Sequence, residues 1–182
     1  MPMPRLRLVV ASTVIAVLGA LVVLATQREL TPRPVNVPAT SPDTVPQNAL
    51  RADEEAYAAA LWPIHSGAVE ISAVEMSFAG VDYVTEHPDR ERLGARVRKL
   101  NDVFRTAAAT AQSLEVPPSM LRVHDQYMEA LTLYVNASAE MVKVAEDGRI
   151  DHLIEAQTMS QRAAEDLLKV GDVLWPSEHK PN

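Results

Sequence analysis

RERLGARVRKLNDVFRTAAATAQSLEV, residues 90–116, is the stretch that decides the fold. Its apolar positions are Leu93, Val97, Leu100, Phe104, Ala107, Ala111 and Leu114, spaced alternately by four and three residues. A helix turns once in about 3.6 residues, so this alternation lays one apolar stripe along one face, the heptad signature of packed helices. Asp89 offers an N-terminal cap, and Pro117-Pro118 stop the segment, because a proline disfavours helical backbone in the residue before it.

Working outward, the same pattern recurs on both sides. Ser119 offers an N-terminal cap for a third segment whose stripe includes Leu121, Met128, Leu131, Val135, Val142 and Ala145, flanked by Met120, Tyr127, Tyr134 and Met141, and ending at Asp147-Gly148. A fourth begins near Ile150 and runs through Leu153, Ile154, Ala164, Leu167, Leu168 and Leu174 to Trp175-Pro176. The first segment, started at Pro63, carries Ile64, Ala68, Ile71, Val74, Phe78 and Val81 and ends at Glu86. The four segments have matched lengths, and their short connections require antiparallel neighbours. The expected fold is all-α, an up-down-up-down antiparallel four-helix bundle over residues 63–175. Residues 49–61 read as a separate lead-in helix, since Pro63 lacks the N–H that a continuous helix needs; one kinked helix from Ala49 is the alternative.

The first quarter of the chain is different. Leu8 to Ala25 is an uncharged apolar run of eighteen residues behind Arg5 and Arg7, about 27 Å long as a helix and so able to cross a bilayer. Residues 1–26 are therefore expected to be a transmembrane signal anchor. The positive N-terminal flank directs the remainder out of the cytoplasm. A cleaved signal peptide is the competing reading, with Val23-Leu24-Ala25 as an acceptable cleavage site, and it leaves the domain secreted or periplasmic. Residues 27–48 hold Pro32, Pro34, Pro38, Pro42 and Pro46 among small polar residues, a spacer of extended backbone. The folded domain is expected over residues 49–182.

Charge divides at the same boundary. Residues 1–48 carry four arginines against Glu29 and Asp43, so the total of −7 leaves −9 on residues 49–182. An acidic domain is poorly suited to nucleic acid. Cysteine is absent, which excludes thiolate metal sites and thiol nucleophiles and leaves stability to helix packing.

Antiparallel order brings distant residues to common ends. At the near end it gathers the two Trp-Pro pairs, Trp62-Pro63 and Trp175-Pro176, with His65, His124 and His179; these five aromatic and imidazole side chains are the candidate binding residues. The plainer reading is that the tryptophans plug an alanine-rich core and the histidines are satisfied core groups. At the far end lie His87, His152, Asp82, Glu86, Asp89, Asp151 and Glu155. His152 and Glu155 share a helix face, but two-metal bundles use Glu-x-x-His on two helices, and one reversed pair reads as a solvated helix cap. Glu75 beside Val74 is expected to find a partner among Arg96, Arg98 and Arg105. Met76 and Met159 have no opposed histidine for haem. No metal, cofactor or catalytic group is expected. The sequence reads as a membrane-tethered, extracytoplasmic binding or structural module with a protein partner, and a metal- or cofactor-binding bundle is the alternative.

Overall fold

The computed structural model describes residues 49–85 and 88–176, which form an all-helical bundle of four helices with no strand among them. The first helix is a rod in three parts: α1 (Ala52–Ile64), a π-turn (His65–Val69) and α2 (Glu70–Thr85). It is followed by α3 (Arg90–Gln112), a 3-10 turn (Pro118–Met120), α4 (Leu121–Asp147) and α5 (Asp151–Leu174). The segments expected to be a membrane anchor and a proline spacer lie outside the described residues. No helix among the described residues is long and apolar enough to cross a membrane.

The lead-in helix is not separate. Helical backbone runs unbroken from Ala52 to Thr85, with Pro63 inside it. Pro63 removes one backbone donor, and two residues later the chain widens so that the Glu70 N–H reaches the His65 carbonyl, five residues back. The wider turn resets the register. A buried stripe runs through Tyr57, Leu61, His65, Val69, Ser72, Met76, Ala79 and Tyr83, with Ala58 and Gly80 beside it, and its first three steps are all of four residues. At about 100° per residue, three such steps would carry a stripe about 120° around an α-helix, and the π-turn absorbs roughly one residue of that drift.

The stripe expected from an uninterrupted period starting at Pro63 therefore falls on the wrong face. Ile71, Val74 and Phe78 are 60%, 53% and 50% exposed. Ile64, Ala68 and Val81 are half-buried.

Helix α3 packs as its period requires, with Leu93, Val97, Leu100, Phe104, Ala107 and Ala111 buried and Leu114 against the core. The Asp89 carboxylate accepts the Arg92 N–H at 2.9 Å and caps it. Gly94 permits close approach to α4, since a Cβ there would lie 3.0 Å from the Ala145 Cβ. On α4 the buried face is centred on Tyr127, Leu131, Tyr134, Ala137, Ser138 and Met141. Met128, Val135 and Val142, expected at its centre, sit half-buried at the edge, and Leu121 is 51% exposed. The Tyr134 ring stacks on Phe104 at a centroid distance of 5.0 Å, which draws the tyrosines inward. Ser119 does not cap α4; its hydroxyl donates to Glu54 and accepts from Arg51, tying α1 to the start of α4. On α5, Leu153, Ala156, Ala163, Leu167, Val170 and Leu174 are buried, whereas Ile154 and Leu168 face solvent.

A polar link ties α3 to α4. The Asn101 amide donates to the Val135 carbonyl at 2.9 Å and to Ser138 Oγ at 2.8 Å, and Ser138 in turn donates to the Tyr134 carbonyl. Gly148, at φ +77°, closes α4 in the left-handed conformation that glycine adopts without steric cost.

Candidate functional site

Four of the five candidate binding residues converge, and His179 lies outside the described residues. Trp175 ends α5 and Trp62 sits late in α1, and their rings meet edge to face at 5.0 Å. His65, carried by the π-turn, stacks on Trp175 at 4.8 Å with an interplanar angle of 20°, and its edge meets Tyr127 at 5.9 Å. The Trp175 indole N–H donates to the Ala58 carbonyl at 3.2 Å. That bond fastens the end of α5 to α1. His124 is drawn to the same end by Tyr57, whose hydroxyl lies 2.9 Å from Nδ1. Neither Tyr57 nor Tyr127 was marked by the sequence as part of this end.

The cluster is a packed plug more than an open pocket. Trp175, His65 and His124 are each nine-tenths buried or more, and only Trp62 is partly exposed. The two histidines do not form a common metal site: His124 is engaged by Tyr57, while His65 lies flat against the indole with Nε2 3.5 Å from Glu70. Burial pushes the Tyr57 hydroxyl up to about 12 and raises Tyr127 further, so both phenols are neutral hydrogen-bonding groups at ordinary pH. Two polar atoms in the plug, His65 Nδ1 and Tyr127 Oη, are buried without a hydrogen-bond partner among the described residues. Such atoms cost free energy, and they lie where the π-turn fixes the ring positions.

The open surface lies along the side of the first rod. An open groove of about 350 Å³ runs between the rod and α3, lined by Ile64 and Ala68 on one wall and by Lys99, Asp102, Val103 and Thr106 on the other. Beyond it, α2 presents Ile71, Val74 and Phe78. At about 100° per residue these three fall within about 60° of one another and about 140° from the buried Ser72, Met76, Ala79 and Tyr83. Glu70 and Glu75 lie about 70° to either side of that stripe. Glu75 is exposed and pairs with none of the three arginines expected to meet it; Arg96 instead pairs with Asp82. Helix α2 carries Glu70, Glu75 and Asp82 and neither lysine nor arginine.

The far-end group divides. Glu86 and His87 lie outside the described residues. Asp82 and Asp89 serve the α2–α3 side through Arg96 and the α3 cap. His152 and Glu155 of α5 lie together with Glu140 of α4, a residue that sequence spacing could not connect to them because it sits on another helix.

Comparison with protein-family models, with curated proteins and with solved structures finds no significant match to this chain.

Proposed function

We propose that this protein is a membrane-tethered, extracytoplasmic module, an up-down-up-down antiparallel four-helix bundle that binds a helix of a protein partner and carries out no catalytic step itself. The tether is Leu8 to Ala25 and the spacer the proline-rich residues 27–48. The observation that carries the binding reading is the second apolar face of α2. A helix with apolar residues on both faces belongs between two packed layers, and among the described residues only one layer is present. Burying the exposed half of Ile71, Val74 and Phe78 would contribute about 1 kcal/mol each, enough to supply the centre of a helix-on-helix contact.

Charge narrows the occupant. Glu70 and Glu75 border the stripe on both sides, and the domain carries −9, so a partner helix with an apolar face and lysine or arginine at its flanks is complementary. A second copy brings acidic borders against acidic borders. The polar residues singled out by the sequence are largely committed to packing, as with His124 on Tyr57 and His65 on Trp175. The near-end plug thus supports the bundle, and recognition falls to the side of the rod.

The test is a Val74→Asp/Phe78→Asp double variant of the full chain isolated from its native membrane. Both side chains are at least half exposed, so the helical signal and thermal midpoint should be retained while the partner is lost. Retention of the partner refutes the face. Loss of self-association alone would make the occupant a second copy and overturn the cationic-helix assignment.

A further inference from the structure

We propose that Glu140, His152 and Glu155 form a binding site for a first-row divalent cation of the zinc class, with Asp147 holding the histidine ring in place. The site bridges α4 and α5 across the Asp147–Gly148 turn and is independent of the partner-binding face on α2.

The geometry has the parts such a site needs. One ligand atom from each of Glu140, His152 and Glu155 lies within 4.8 Å of the other two. His152 Nδ1 is 2.7 Å from Glu140 Oε2, while its Nε2 is 3.3 Å from Asp147 Oδ2. The ring is thus held between two carboxylates: in the metal-free protein an Nδ1–H donates to Glu140, and a cation would take the place of that proton, with an Nε2–H then donating to Asp147 as the outer carboxylate. That is the carboxylate–histidine–metal arrangement, in which the outer carboxylate fixes tautomer and ring orientation. Zinc takes histidine nitrogen at about 2.0–2.1 Å and carboxylate oxygen at about 2.0–2.2 Å, which in a tetrahedron puts ligand atoms about 3.3–3.5 Å apart. The Glu140–His152 separation must open by about 0.6 Å to reach that edge and Glu155 must close, both by side-chain rotation.

The neighbouring charges assign a role to each carboxylate. Lys143 donates to Glu140 Oε1, leaving Oε2 turned to His152. The Lys143 ammonium thus pairs with Glu140 on the side away from the histidine ring. Asp147 is anchored by the Arg149 backbone N–H, which donates to its carboxylate at 2.8 Å. Glu155 is exposed and lies in the field of Lys143 and Arg149 without a hydrogen bond or close ion pair among the described residues, so its side chain can swing onto the cation. One nitrogen and two carboxylates suit zinc or cobalt, with a fourth position left for water.

The experiment titrates the chelator-treated full chain with Zn²⁺ by calorimetry and with Co²⁺ by visible absorbance. One ion per chain is expected, with a Co²⁺ spectrum typical of low coordination number. Glu155→Gln should weaken Zn²⁺ by at least about tenfold and Asp147→Asn by about 10- to 100-fold. Zn²⁺ should also raise the thermal midpoint of the wild type but not of Glu155→Gln. Because Glu155 is exposed and unbonded, its variant keeps the fold even if His152→Gln loosens the helix turn. Absence of stoichiometric binding by the wild type, or undiminished binding by Glu155→Gln, overturns the assignment.

Discussion

Removing a single hydroxyl from Tyr57 and from Tyr127 should have opposite consequences, although both side chains are tyrosines buried at the same end of the bundle. Tyr57 is 3% exposed and its hydroxyl lies 2.9 Å from His124 Nδ1. Tyr57→Phe leaves that nitrogen buried with nothing to bond, a loss of about 1–3 kcal/mol. Tyr127 is fully buried, and its hydroxyl has no partner among the described residues. Tyr127→Phe deletes a group that was desolvated without compensation, so stability should stay level or rise by up to about 1 kcal/mol. In a domain of this size the Tyr57 variant should melt lower by about 3–12 °C and the Tyr127 variant should not. Urea titrations of residues 49–182, followed by far-ultraviolet circular dichroism, give both values provided the slope with denaturant stays constant. Near-ultraviolet dichroism from the Trp62–Trp175 pair reports whether the plug itself loosens. A Tyr127→Phe loss as large as that of Tyr57→Phe refutes the reasoning, since it would mean that the Tyr127 hydroxyl is bonded and the plug is wet.

The remaining expectations concern register, pH and placement. Met76→Ala, at 2% exposure, should cost about 2–5 kcal/mol, whereas Val74→Ala, half exposed, should cost under about 1 kcal/mol, as measured by urea denaturation; equal losses would return the stripe to the core. Because the folded pKa of Glu140 is depressed, its contribution is complete above about pH 4.5 and is lost as pH falls through the lower folded value, so Glu140→Gln should flatten the acid limb of a stability–pH curve. Burial raises Tyr57 and Tyr134 to about 12 from 10.0, so their contribution is complete below pH 10.0 and disappears as pH rises toward about 12, which phenolate absorbance on alkaline unfolding would follow. A reporter active only outside the cytoplasm should work when fused after Asn182; activity of a cytoplasmic reporter alone would reverse the topology.

How far the fold is legible depends on whether one period holds. In α3 it holds from Leu93 to Ala111, and every expected position is buried. In the first rod the period changes at His65, where the π-turn takes up a residue. Nothing but the run of four-residue steps from Tyr57 through Leu61 and His65 to Val69 signals this, and a reading that restarts at Pro63 skips the first two of those positions. In α4 the difficulty is composition: aliphatic and aromatic residues occupy adjacent positions, and stacking of Tyr134 on Phe104 decides which set turns inward. The Trp62–Trp175 meeting is legible because helix order alone brings both Trp-Pro pairs to one end. The orphaned Tyr127 hydroxyl and the position of Glu140 beside His152 are not, because each depends on the rotation of one helix against another. The outward face of α2 was hidden by the same register change that created it.

Photo-crosslinking from position 78 in the full chain, in its native membrane, tests the recognition face most directly. A photoreactive residue in place of Phe78 should give one discrete adduct with a different protein, and the same residue in place of Leu121, exposed on α4, should give none. Absence of an adduct at 78, or the same adduct from 121, would contradict the claim that the open side of α2 is where this bundle meets its partner.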